Sequence, residues 1–237
     1  MPTITPASPA DVPAAAAVLA EAFAGDPVLA AVTGRPSPTA DLLARLFAPV
    51  LRSGALPLGG VDLARRADGE IVGVAVWEPP GARSHLLSQV LELPAFVAAL
   101  GLRGLRHAAR VQSRMAAHRP AAQHWYLAQI GAAASARGTG IGSALLGSRL
   151  ARIDAEGSPA YLESSNERNR RLYAREGFQE VAPIDGIPGA RPMSMWRPAA
   201  VVGEARSDVA PRGAAGSTAA TLSAAQVTSS QTDGATR

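Results

Sequence analysis

The chain has 237 residues, 23 basic against 19 acidic, a formal net charge of +4, and no Cys. All of those basic residues are Arg, because the sequence contains no Lys. The two absences exclude a Schiff-base or Walker A lysine, a thiolate nucleophile, disulfides, and Cys-ligated zinc or iron–sulfur centres, leaving carboxylates, Tyr, Ser, His and backbone dipoles to do any chemistry.

Taken in order, Thr3-Ile4-Thr5 reads as a short strand, and Ser8-Pro9-Ala10-Asp11 as a cap-plus-Pro start to a helix through Val12, Val18, Leu19 and Phe23, stopped at Gly25-Asp26-Pro27. A second helical period runs from Ala40 to Leu51. Residues 60–64 and 71–77 flank Ala67-Asp68-Gly69, a hairpin with a favoured turn step. Helical spacing from Ser84 to Ala117 sets an apolar side (Val97, Leu100, Ala108, Val111, Met115) against Arg103, Arg106, Arg110 and Arg114, and Pro120 ends it. With no aromatic residue interleaved, that Arg stripe reads as a solvated face rather than an RNA or anion surface.

His124 to Ala132 reads as a core strand, with Trp125, Leu127 and Gln129 alternating against Tyr126, Ala128 and Ile130. It leads into Arg137-Gly138-Thr139-Gly140-Ile141-Gly142 and a helix carrying Leu145, Leu146, Leu150 and Ile153. Strand Ala160–Ser164, a helix from Asn166 to Glu176 with Gly177 after it, and strands Phe178–Ile184 and Pro192–Arg197 complete the pattern. Hairpins imply antiparallel neighbours and the strand–helix–strand unit a parallel crossover, so the fold class is α/β with a mixed sheet.

Residues 1–197 form one expected domain, with 83–120 as a helical insertion. Residues 198–237 lack aromatic residues and are built largely of Ala, Ser, Thr, Gly and Gln towards the end, too little apolar surface to offset ordering, so a low-complexity disordered tail is expected. A capping helix through Ala214 to Val227 is the competing reading. The tail's three Arg and three acids cancel, so the net charge belongs to the domain. Before Arg35 there is no basic residue to form the n-region of a signal peptide, and the longest uncharged apolar run, Leu93 to Leu102, is about half of a roughly 20-residue membrane span. A cytoplasmic protein without a membrane partner is therefore expected.

The Gly-rich turn lies between a strand and a helix, where free amides and the helix dipole hold phosphate oxygens. It misses the dinucleotide fingerprint, because Ser143 stands where a third Gly would be, and matches Arg-x-x-Gly-x-Gly instead. With that signature, and with Tyr161 to Phe178 ending in Tyr173…Gly177-Phe178, the chain resembles the GNAT superfamily of acetyl-CoA-dependent N-acetyltransferases. More narrowly, His118-Arg119-Pro120, Trp125-Tyr126-Leu127-Ala128, Leu162-Glu163, Arg168-Asn169 and Tyr173 resemble its puromycin N-acetyltransferase branch. Between Arg83 and Ala117 almost nothing matches, so no antibiotic substrate carries over.

The resemblance implies a GNAT-like sheet of about six to seven strands with helices on both faces and the fourth and fifth strands splayed. It further implies acetyl-CoA as co-substrate, bound by the main chain of Ile130 and Ala132, by Arg137, Gly138, Thr139, Gly140, Ile141 and Gly142, and by Asn166 and Asn169. The last two residues also suit helix capping. Tyr173 matches the family's general acid; packing of the helix onto the sheet is its alternative. A phenol of pKa about 10 can return a proton to a thiolate near roughly 8.5 in a nearly balanced transfer.

Glu163, a carboxylate in a strand expected to be central, needs a partner or a job: proton acceptor for the amine, or a buried ion pair with an Arg. Glu78, Glu21 and Asp26 are further base candidates, and His124 is a candidate substrate contact. His85, His107, His118 and His124 lack metal-ligand spacing, so no metal is expected. The reading is acetyl transfer to a primary amine of a small molecule by direct attack in a ternary complex, by a monomer or homodimer. A CoA-sensing or nucleic-acid-binding module, or a peptide N-acetyltransferase, are the alternatives.

Overall fold

In the computed structural model, which describes residues 2–82 and 86–200, seven strands form one sheet in the order β1-β2-β3-β4-β5-β7-β6. They are β1 (Thr3–Pro6), β2 (Val61–Arg65), β3 (Ile71–Glu78), β4 (Trp125–Ala132), β5 (Ala160–Ser164), β6 (Gln179–Pro183) and β7 (Met193–Arg197). The helices are α1 (Val12–Ala22), α2 (Pro27–Thr33), α3 (Ala40–Ser53), α4 (Leu86–Ala116), α5 (Ile141–Ala155) and α6 (Glu167–Arg175). Only β4 and β5 pair in parallel; every other neighbour is antiparallel, the mixed sheet that the hairpins and single crossover require. Most of the expected tail, 201–237, lies outside the described residues, as does the start of the 84–117 period at 83–85.

Period-2 alternation divides the core into two layers. On one face Ala75, Trp77, Leu127 and Leu162 pack under α5 and α6 with Leu145, Leu146, Ile153, Tyr173 and Phe178. On the other, Val61, Leu63, Val74 and Val76 pack under α1 and α3 with Leu19, Leu43, Phe47 and Leu51.

Two helix boundaries differ from the sequence reading. Gly25-Asp26-Pro27 stops α1, but it also starts α2: the Asp26 carboxylate accepts from the amides of Val28 and Leu29 at 2.9 and 3.0 Å, and Pro27 occupies the first helical position. The 84–117 period is two helices in series, broken where Gly101 takes φ 64° and ψ 173°. It packs on α2 and α3, so the insertion lies on the α1/α3 side of the sheet.

The alternation in β4 also shifts phase. Gln129 stands opposite Val76 while Leu127 stands opposite Trp77, so Ala128 is an extra residue, a β-bulge. In consequence Ile130 and Ala132 pack on the same layer as Trp125 and Leu127, whereas an unbroken strand would put Ile130 on the face of Tyr126.

A buried ion pair ties α5 to β2. The Arg149 guanidinium donates to both Asp62 carboxylate oxygens at 2.8 Å and to Gly59 O at 3.0 Å, with side chains 6% and 4% exposed. Removing one member strands the other charge, which costs about 3–5 kcal/mol. Arg149→Met should therefore lower unfolding stability by that amount in a urea titration, and Asp62→Asn added to it should restore part of the loss.

Candidate functional site

β4 and β5 are paired only from Trp125–Leu127 against Ala160–Leu162. Beyond those three residues β4 continues along β3 to Ala132 and β5 continues along β7 to Ser164, and the strands part. Ala128 to Ala132 are half-buried where the first three residues of β4 are buried, and Glu163, with its side chain 1% exposed, shows solvent its backbone.

A cleft of about 980 Å³ opens beside this gap. It is lined by Ile130 and Ala132 from β4, by Arg137, Gly138, Gly140, Ile141 and Gly142 from the turn, and by Asn166, Asn169 and Tyr173 from α6 and its cap. Ten of the residues singled out from the sequence thus share one cleft. Thr139, Glu163, Glu78, Glu21, Asp26 and His124 do not line it: the Thr139 hydroxyl is spent on Ala136 O at 2.7 Å, and Glu163 faces the opposite side of the sheet.

The turn has the local geometry of an anion site. Gly138 and Gly140 take φ 80° and 85°, and an added Cβ at either would meet nothing within 4 Å, so both the backbone conformation and the open space above it are in place. Gly140 is the N-cap of α5, and the first intrahelical bond runs from Ala144 N to Gly140 O. The amides of Ile141, Gly142 and Ser143 therefore project from the helix end. Arg137 donates to Glu21 O at 3.0 Å and Glu21 accepts from Ala134 N at 3.0 Å, which binds the turn to the end of α1.

Across the cleft, Asn166 caps α6 by accepting from Asn169 N at 2.9 Å. Tyr173, 6% exposed, packs edge-on to Phe178 with ring centroids 6.2 Å apart. Burial first, and then the Asp26 carboxylate, push its phenol above the ordinary value. Asp26 links the layers: besides capping α2, it accepts from the Ser165 hydroxyl at 2.5 Å.

Three cleft residues to which the sequence reading assigned no role, Arg168, Arg171 and Arg175, stand on α6 with Tyr173. Their i, i+3, i+7 spacing on one helix face was the available signal. Ser143, Leu172 and Ala22 complete the lining in addition to backbone of the turn and β4.

On the opposite side of the sheet lies a smaller pocket of about 280 Å³, lined among others by Glu78, Arg119, His124 and Tyr126. Glu163 approaches Arg119 here, with Oε1 3.5 Å from Nε. Burial raises the carboxyls of both Glu163 and Glu78, and the Arg119 charge opposes it in each. His124 packs between Tyr161 and Trp196 and its Nδ1 lies 2.6 Å from Ala122 O. Among the described residues no group of three or more His, Asp or Glu could hold a metal, and no single helix is long and apolar enough to cross a membrane.

A Gly-rich turn with helix-end amides thus lies beside splayed strands, with a buried Tyr across the cleft. The family model described as the acetyltransferase (GNAT) family matches residues 57–178, and the chain belongs to that family. It is an acyltransferase of a family that uses acetyl-CoA as co-substrate. A solved structure from Corynebacterium glutamicum, described as histone acetyltransferase HPA2 and related acetyltransferase, is 36% identical, with 86% of this chain and 99% of that one covered and a TM-score of 0.67. An N-acetyltransferase from Staphylococcus aureus (15% identical, 82% and 99% covered, TM-score 0.58) and a mosquito protein described as arylalkylamine N-acetyltransferase like 5b (11%, 84% and 100%, 0.57) share the fold.

Asp26→Ala should cost about 1–2 kcal/mol, the usual price of a helix cap, and should free the Ser165 hydroxyl. Chemical denaturation monitored by Trp fluorescence checks the magnitude.

Proposed function

We propose that the protein transfers an acetyl group from acetyl-CoA to a primary amine of a small molecule by direct attack in a ternary complex. The observation that carries this reading is the convergence of the β4 edge, the Arg137–Gly142 turn and Tyr173 on one 980 Å³ cleft, with the buried Glu163 carboxylate on the other face of β5. The residues fit the co-substrate: the turn amides and Arg137 would hold its pyrophosphate, the β4 main chain from Ile130 to Ala132 its pantetheine arm, and Asn166 and Asn169 would flank it. Bound there, the thioester supplies the acyl group.

The remaining roles belong to side chains. Tyr173 keeps its proton at neutral pH and holds it at the phenol oxygen for the departing thiolate. Glu163, directly or through water, takes a proton from the acceptor ammonium. The motifs around His118, Trp125 and Arg168 support placement near the puromycin N-acetyltransferase branch, and a cytoplasmic enzyme working as monomer or homodimer completes the reading. A peptide acceptor is the second reading, favoured by the likeness to the Corynebacterium relative described as a histone acetyltransferase. The 280 Å³ pocket beside Glu78 supports the small acceptor instead.

Acetyl-CoA at one hundred times its Kd should stabilise the fold by about 2.7 kcal/mol, read as an upward shift in melting temperature. No shift at millimolar ligand would sink the reading. A panel of arylalkylamines, polyamines, aminoacyl nucleosides and Lys peptides assayed for CoA release separates the two acceptor classes. On the best acceptor, Tyr173→Phe should lower kcat by roughly ten- to ten-thousand-fold with acetyl-CoA affinity nearly unchanged.

A further inference from the structure

Arg119 stands at the end of the helical insertion, and nothing above gives it a task. Its guanidinium carbon lies 3.7 Å from the centroid of the Tyr126 ring. Nε is 3.5 Å from Glu163 Oε1, and Nη1 is 4.0 Å from Glu78 Oε2. Neither separation is a hydrogen bond of ordinary length. Arg119 Nε and Glu163 Oε1 are both buried and lack a hydrogen-bond partner.

A buried pair held apart in this way is unfavourable unless the backbone holds it there. It does so here: Ala117, His118 and Arg119 amides donate to Ser113, Met115 and Ala116 carbonyls at 3.1, 3.0 and 3.2 Å, Pro120 follows, and the Tyr161 hydroxyl lies 3.4 Å from His118 O. Arg119 is thus held by its loop and by stacking on Tyr126, and not by gripping Glu163.

We propose that Arg119 is a positioning residue for acyl transfer: stacked on Tyr126 and 3.5 Å from Glu163, its guanidinium holds the buried carboxylate in place without taking up Oε1 in a hydrogen bond, so that Oε1 keeps its lone pairs for the acceptor's proton. The proposal rests on Glu163 as the proton acceptor. The groups that face Glu163 are Tyr126 from β4, Tyr161 from β5, Ser194 from β7 and Arg119 itself, while Glu78 from β3 lies by Arg119 and Tyr126. Ser194 is committed to Ala182, its hydroxyl donating to the carbonyl at 2.7 Å and accepting from the amide at 3.1 Å. Of the others, Arg119 is the strongest influence favouring the charged carboxylate, ahead of the two tyrosine hydroxyls.

The sign of the effect follows. Glu163 titrates above its ordinary value in the folded state, so its contribution to stability is lost as pH rises through that value, and removing Arg119 raises it further. Melting temperatures of the ligand-free protein between pH 5 and 9 test this without any substrate. Arg119→Gln should show a deficit against wild type that grows with pH, the growth should vanish in the Glu163→Gln background, and Arg119→Lys should show none. A deficit constant across pH, or equal growth in the Glu163→Gln background, overturns the proposal. If Arg119→Gln does not fold, Arg119→Lys decides alone, and a deficit that grows with pH overturns the proposal.

In turnover, Arg119→Gln should move the acid limb of kcat/KM up by about 1–3 pH units, the effect of losing a neighbouring opposite charge, with KM for acetyl-CoA unchanged. Full activity of Glu163→Gln across the amine panel would overturn the base assignment and this proposal together. An unmoved acid limb in Arg119→Gln, with Glu163→Gln inactive, would overturn the role of Arg119 alone.

Discussion

Backbone amides and carbonyls within a sheet need partners, and β4 and β5 stop supplying them to one another after three paired residues. Each strand stays in the sheet because its other edge is satisfied, β4 by β3 and β5 by β7. The parting therefore exposes main-chain polar groups along two inner edges without unravelling the molecule. A ligand carrying amide groups can complete what the strands leave open. The cleft, the accessible turn and the position of Tyr173 all depend on that parting.

The two faces contribute different chemistry. On the α5/α6 side lie amide dipoles, Arg side chains and a buried phenol that burial keeps protonated. On the α4 side lie Glu78, Glu163 and Arg119 among Tyr126 and Tyr161, a cluster of two carboxyls and one guanidinium beside aromatic rings. The bulge at Ala128 matters because it sits where the strands part: it turns Ile130 and Ala132 onto the layer of Tyr173 while Tyr126 stays on the layer of Glu163.

Much of the scaffold was legible because the signals are local. The Asp68-Gly69 turn, the Gly140 start of α5, the Asn166 cap and the helical period of α5 each act within a few residues, where sterics and hydrogen bonding leave few options. Asp26 was read as a stop although Asp-Pro is equally a start, and the choice rests on whether the following seven residues find a surface to pack on, here α4 and its neighbours. The bulge left no trace in the alternation of β4, since Ala128 and Gln129 suit either phase.

By itself the sequence determined the reagents and the frame: no Lys or Cys chemistry, a Gly-rich turn opening a helix, a Tyr ahead of Gly-Phe, and a mixed α/β order. It did so because composition and short-range spacing are written residue by residue. Only the tertiary structure decided the meetings. Arg119 and Glu163 are 44 positions apart and come from a loop and a strand, and Asp26 reaches Ser165 across 139. Such contacts are set by how the layers pack and where two strands part company, and no window along the chain contains both partners.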